Sequence, residues 1–166
     1  SGYWRDIGTI RSFYEASIEL TKPNPQFTFL SPTGRIFTRA RFLPPSKILS
    51  AKLKNVLMAE GCVLEGACIE DSVIGLRSIV REGTVIRRSA LLGNDFYETG
   101  RHVHPLGIGE GGLIENCILD KNVRIGNRVS ITNAAKVREK DGENYYIRDG
   151  IVIIPKGAVL GDGTKI

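Results

Sequence analysis

From Met58 onward, aliphatic side chains recur with a period of six. They stand at Met58 and Leu64, at Ile74, Val80, Ile86 and Leu92, at Ile108 and Ile114, at Leu119, Ile125 and Ile131, and at Ile154, Leu160 and Ile166. The residue after the aliphatic is often Gly, Ala, Glu or Asp, and the residue four after it is small at Cys62, Cys68, Ser78, Thr84, Ala90, Gly112, Ala158 and Thr164. Simple alternation would not place small residues at fixed offsets every six. A unit of this kind is one short strand plus one tight corner. Three units close a triangular coil, and stacked coils bury columns of Ile, Leu and Val between parallel strands. The pattern predicts an all-β fold, a hexapeptide-repeat parallel β-helix over residues 50–166, with Ile74, Val80, Ile86, Ile125, Ile131, Leu160 and Ile166 pointing inward.

The repeat lapses between Asn94 and Gly107, a stretch holding Arg101, His102, His104 and Pro105, and again between Thr132 and Gly150, around the charged run Lys136 to Glu143. Insertions in solenoids become loops projecting from a corner, commonly on a functional face. Ahead of the repeat, Ile10, Phe13, Tyr14, Ile18 and Leu20 fall near helical spacing, Thr9 suits an N-cap, and Pro23 and Pro25 close the segment. Residues 1–26 therefore read as a helix with an aromatic face that needs a surface to pack on, either this chain or another domain. Residues 27–49, with Phe27, Phe29, Ile36, Phe37, Phe42 and Leu43 between Pro32, Gly34 and Pro44-Pro45, read as short strands around a turn within an extended connection.

Composition narrows the function classes. Glycine, 19 of 166 residues, exceeds the ordinary share of about 7%, as repeated corners require. The formal charge is +5, so a small phosphorylated anion is a natural partner; with no run of five basic residues and no aromatics interleaved among them, nucleic acid is not expected. The longest apolar runs, such as Ile151 to Ile154, fall far short of the roughly 18 residues of a membrane helix, and no signal-peptide order opens the chain. Three cysteines, Cys62, Cys68 and Cys117, cannot form a full disulfide framework, and buried thiols in a reducing, cytoplasmic setting are expected.

Five segments, in order along the chain, carry a family resemblance: Tyr3-Trp4-Arg5-Asp6-Ile7-Gly8-Thr9, Leu43-Pro44-Pro45-Ser46-Lys47, Gly75-Leu76-Arg77-Ser78, Asp120-Lys121-Asn122-Val123-Arg124-Ile125-Gly126 and Gly150-Ile151-Val152. On the hexapeptide background they resemble the carboxyl-terminal part of ADP-glucose pyrophosphorylase (glucose-1-phosphate adenylyltransferase), nearest its cyanobacterial and plant forms. The resemblance implies a left-handed coil. It also implies a parent enzyme that converts ATP and glucose 1-phosphate, with Mg²⁺, to ADP-glucose and pyrophosphate for glycogen or starch synthesis. The α/β catalytic domain is expected ahead of Ser1. No glycine-rich phosphate loop between a strand and a helix occurs here, so this segment alone is expected to be inactive and to hold no cofactor. In a plant or alga the enzyme would sit in the plastid stroma.

The resemblance also assigns residues. Asp6 matches a magnesium-binding carboxylate that acts only with the catalytic domain; its bland reading is a cap on the turn before the helix. Lys121 in Leu119-Asp120-Lys121-Asn122 and Lys156 in Ile154-Pro155-Lys156-Gly157 resemble two activator-binding lysines, and Arg39 and Arg41 a nearby anion-contacting pair. Phosphorylated metabolites or phosphate are the implied effectors, and a homo- or hetero-tetramer the implied assembly. All four basic residues could equally be solvated surface charges. Two other classes remain open: an acyltransferase on the same solenoid, with His102 or His104 as general base, and a purely structural assembly module.

Overall fold

The computed structural model describes residues 2–29, 34 and 36–166. One local rule generates most of it. Three residues before an inward aliphatic, the backbone adopts positive φ, as at Gly61, Gly66, Asp71, Arg77, Gly83, Arg88, Gly111, Asn122 and Arg128. The next residue is turned inward and is small in most corners, valine in two (Val123 and Val129); then one residue faces out, and then the aliphatic enters the core. Left-handed backbone bends the chain sharply within one residue, at a cost of about 1–2 kcal/mol where the residue is neither Gly nor Asn/Asp. The inward small positions include Cys62, Ala67, Ser72, Ser78, Thr84, Ser89 and Cys117, each at most 4% exposed. Their hydroxyls are satisfied by nearby carbonyls: Ser78 Oγ donates to Gly75 O and Thr84 Oγ1 to Gly109 O, both at 2.7 Å.

The strands stack in register as three faces. On the first, Leu64 pairs with Val80, Val80 with Ile108, Ile108 with Ile125 and Ile125 with Leu160. On the second, Ile69, Ile86, Ile114 and Ile131 align. On the third, Ile74, Leu91, Leu119 and Ile154 align. The pairings within these three columns are all parallel, and the columns form the core. The inward set expected from the sequence is buried except Ile166, which is half-buried at the end of the last coil and packs on the same core.

The period is not uniformly six. Leu64, Ile69 and Ile74 follow one another at five-residue steps, as do Ile86 and Leu91, and Ile114 and Leu119, because those corners have one residue fewer. Counting sixes therefore misplaced several residues. Leu91, not Leu92, lies under Leu119. Ile69, absent from the six-residue pattern, is a full core member. Ser89 takes the inward small position, leaving Ala90 on the outer surface of the coil. Likewise Ala67 replaces Cys68, so Cys68 is exposed rather than a buried thiol.

The helix spans Ile10–Glu19, with the Thr9 hydroxyl accepting from Ser12 N–H at 3.1 Å in a reciprocal capping box. It packs on the solenoid itself: Phe13 and Tyr14 cover Ala90, Ile118 and Ile151, and the Tyr14 hydroxyl donates to Arg88 O at 2.7 Å. Burial, and secondarily Cys117, pushes the Tyr14 phenol up to about 12. Tyr3 stacks on Phe27 at 5.8 Å, while Trp4 stays exposed.

The described residues of 27–49 carry fewer strands than expected, and most of the expected turn lies outside them. Among the described residues there, only Lys47–Leu49 is a strand, and Pro32 lies outside the described residues. That strand pairs with Val63–Glu65, so coiling already begins at Lys47, ahead of the boundary read at residue 50. The physical reason is that Phe37 and Phe42 are exposed, at 89% and 94%; without a neighbouring strand or a covering surface, aromatic content alone does not make a sheet.

Both lapses in the repeat are loops. The first leaves the coil after Gly93 and rejoins at Gly107, and glycine is needed at both points. A Cβ at Gly93 would lie 2.1 Å from Leu76 O, and one at Gly107 2.3 Å from Ile79 O, at φ 81° and 93°. The second contains an antiparallel hairpin, Lys140–Asp141 against Tyr146–Arg148, which adds to the edge of Ile151–Ile154.

Burial pushes the Cys62 thiol upward and the Cys117 thiol to about 12, whereas Cys68 is open to solvent. A thiol-reactive reagent at pH 8 should modify one cysteine in the native chain, abolished by Cys68→Ser, and all three in denaturant. Fast labelling of two or more native thiols would contradict this packing.

Candidate functional site

One corner of the coil, between the third and first faces, forms a continuous ladder of backbone bonds. Arg77 N donates to Glu60 O, Asn94 N to Leu76 O, Asn122 N to Gly93 O and Gly157 N to Lys121 O. The successive rungs along this edge are thus Glu60, Leu76, Gly93, Lys121 and Lys156. Coil stacking makes Lys121 and Lys156 neighbours although 34 residues lie between them in sequence. At such a corner the side chain projects away from the core, which is why a charged residue is tolerated there.

Neither ammonium is free. Asp95, two residues beyond Gly93 in the first loop, stands over both: Lys121 Nζ donates to its Oδ1 at 2.7 Å and Lys156 Nζ to its Oδ2 at 2.8 Å. Asn122, in left-handed backbone, closes a reciprocal clamp. Its side-chain carbonyl accepts from Asp95 N–H at 2.8 Å and its amide donates to Asp95 Oδ2 at 3.1 Å. The hydrogen bonds from Lys121 and Lys156 hold the Asp95 carboxyl far below its ordinary value, and Asp95 raises Lys156 in return. The repulsion between the two ammonium groups is therefore relieved by an internal carboxylate.

The loop presenting Asp95 is pinned on both sides. Asn94 Nδ2 donates to Arg77 O at 2.7 Å, Arg77 lies over the Tyr97 ring, and the Tyr97 hydroxyl reaches Gly61 O at 3.1 Å. Further on, the Glu98 carboxylate accepts from Leu106 N–H at 3.0 Å and pairs with Arg124. No periodic signal pointed to Asp95. The available clue was an acidic residue just past the point where a basic corner loses its register.

Arg39 and Arg41 do not join the lysines. They are exposed on the same edge of the coil, lining a hollow with Phe42, Leu43, Glu60 and Leu76, and among the described residues neither guanidinium has an ion pair or hydrogen bond. From the Glu60 rung to the Lys121 rung is three strand spacings, about 14 Å.

Asp6 Oδ1 accepts from Gly8 N–H at 3.0 Å, the geometry of a turn leading into the helix cap. Among the described residues no group of three or more acidic, His or Cys side chains could hold a metal. A lone carboxylate with one oxygen engaged does not fit Mg²⁺ by itself, since the ion needs several oxygen ligands in octahedral array. The histidines are separated: His102 Nε2 lies 3.3 Å from Glu98 Oε1, and His104 Nδ1 3.7 Å from Asp162 Oδ1.

The clamp has a pH signature. Because Asp95 is held below 3.8 in the native state, acidification protonates it first in the unfolded chain. Its stabilisation is complete at neutral pH and declines as pH falls below about 4 toward the depressed native value. The difference in thermal midpoint between the unaltered chain and Asp95→Asn should accordingly be largest near pH 7, smaller at pH 3, and reduced by salt at either pH. A difference that grew on acidification would contradict the clamp.

The family model described as the GLGC left-handed parallel β-helix domain matches residues 41–165, from the end of the extended connection through the last coil. It supplies the hand of the solenoid, left, which spacing alone leaves open and which the resemblance implied. Its parent is a nucleotidyltransferase of ADP-glucose metabolism. With a matching fold, matching coil and matching order of segments, this chain belongs to the family of C-terminal left-handed β-helix domains of ADP-glucose pyrophosphorylase.

Proposed function

We propose that this chain is the effector-sensing and assembly domain of a glucose-1-phosphate adenylyltransferase, and that phosphorylated metabolites or inorganic phosphate bind at the edge carrying Lys121 and Lys156. The observation that carries this reading is the convergence of the two ammonium groups, from separate coils, on the two oxygens of one carboxylate. Groups spaced to hold a carboxylate at 2.7–2.8 Å are spaced to hold two oxygens of a phosphate with charge-assisted hydrogen bonds. Arg39 and Arg41 supply planar donors farther along the edge, suited to a second phosphate or to a longer ligand. In this reading magnesium and the chemical step belong to the catalytic domain, to which Asp6 contributes one oxygen at most.

An effector changes activity only by binding one arrangement of the domains better than another. In the full-length enzyme, Lys121→Ala and Lys156→Ala should each shift the activating concentration of phosphorylated metabolites upward by tenfold or more, with activity in the absence of effector largely retained. Unchanged activation curves in both variants would refute the assignment.

The assembly role rests on a different feature. Among the described residues, the first coil's strands, Lys47–Leu49 and Lys52–Met58, are paired on one side only, with Ile48, Leu49 and Leu53 exposed. Such an edge is a template for pairing with another chain. Light scattering should find at least a dimer at high concentration, weakened by Leu53→Lys; a monomer at every concentration would count against assembly through this domain.

A further inference from the structure

The site that the proposed function requires is already occupied by part of the protein. Asp95 satisfies both lysines, each oxygen taking one ammonium, and Asn122 holds it from main chain and side chain. An external phosphate reaching Lys121 and Lys156 must take the place of this carboxylate. Nothing prevents the exchange sterically: the side chains of Asp95, Lys121 and Lys156 are 35%, 40% and 58% exposed. Nor is the carboxylate a full match for the charge. Two ammonium groups and one carboxylate leave a net positive charge that a phosphate dianion would neutralise.

We propose that Asp95 is a tethered competitor, an internal anion that sets the concentration at which phosphorylated ligands gain Lys121 and Lys156. The idea rests on the anion-site reading above and adds its regulation. Ligand and carboxylate exclude one another from the ammonium groups, so the apparent affinity is the intrinsic affinity multiplied by the fraction of time the clamp is open. Anchoring by Asn94, Tyr97 and Glu98 keeps the carboxylate at high local concentration, as a short tether does. The released ligand-bound state would also free Asp95 from Asn122 and alter the start of the first loop, so that an event at the lysines is felt along residues 94–106. Monoesters of phosphate, with a doubly charged head, are the ligand class best able to displace a singly charged carboxylate.

The test is calorimetric titration of sodium phosphate, at constant ionic strength, into the unaltered 166-residue chain, Asp95→Asn, Lys121→Ala and the double variant Asp95→Asn/Lys121→Ala. The expected result is at least tenfold tighter binding by Asp95→Asn, lost in the double variant. Equal affinity of Asp95→Asn and the unaltered chain, with binding still abolished by Lys121→Ala, would overturn the tethered competitor and leave the anion site standing. Weaker binding by Asp95→Asn would overturn it too, making Asp95 a helper of the ligand. If phosphate bound identically to the unaltered chain and Lys121→Ala, both readings would fall. A second readout needs no variant at position 95: in the unaltered chain, the carboxyl ¹³C resonance of Asp95 should move as phosphate is added, in step with the lysine side-chain signals. Lysine signals that shift while Asp95 stays still would exclude displacement.

Discussion

Everything in this molecule depends on the left-handed backbone residue that stands three positions before an inward aliphatic. It turns the chain through a corner in one step and brings the next strand into line with the strand one coil earlier. Because every strand is two to seven residues long, none could be stable alone; each is held by backbone bonds to neighbouring coils, on both sides within the stack and on one side at its ends, and by the aliphatic column beneath it. The chain tolerates Arg77, Arg88 and Arg128 in this strained conformation because neighbouring coils fix their place. Arg77 bonds Asn94 O and Arg88 bonds Asn116 Oδ1, so two of the strained corners also tie one coil to the next.

The architecture was legible because the repeat writes its register into side-chain size and polarity. What misled was the direction of counting. Measured forward from each aliphatic, the inward residue falls four places on only when the corner is long; in the short corners that offset lands on Cys68 and Ala90, which face out of the coil. Measured backward, the inward corner residue is two before the next aliphatic in long and short corners alike, which places Ala67, Ser89 and Cys117 correctly. The aromatic face of the helix was legible as a surface in need of a partner, but the choice of partner was not. It depended on Ala90 facing outward, and so on the same one-residue difference.

The site was half legible for a comparable reason. Lys121 and Lys156 sit within the repeat, so their motifs and their adjacency follow from the coil. Asp95 lies where periodicity stops, and its position is set by Gly93, Asn94 and Asn122 rather than by any repeat. Arg39 and Arg41 precede the coil, and their distance from the lysines depends on which rung the extended segment runs beside. Sequence order placed them near Pro44 and Pro45; the coil places them by Glu60 and Leu76.

The two ends of the solenoid are unlike. The third face terminates in a backfolded hairpin whose outermost strand is the two-residue, charged Lys140–Asp141, while the first coil presents a seven-residue strand with apolar side chains on its open side. Among the described residues the third face is therefore open at the first coil and covered at the last. The backfolded hairpin covers the last edge of the third face, so anything approaching that edge meets the short charged strand Lys140–Asp141 in place of Ile151–Ile154.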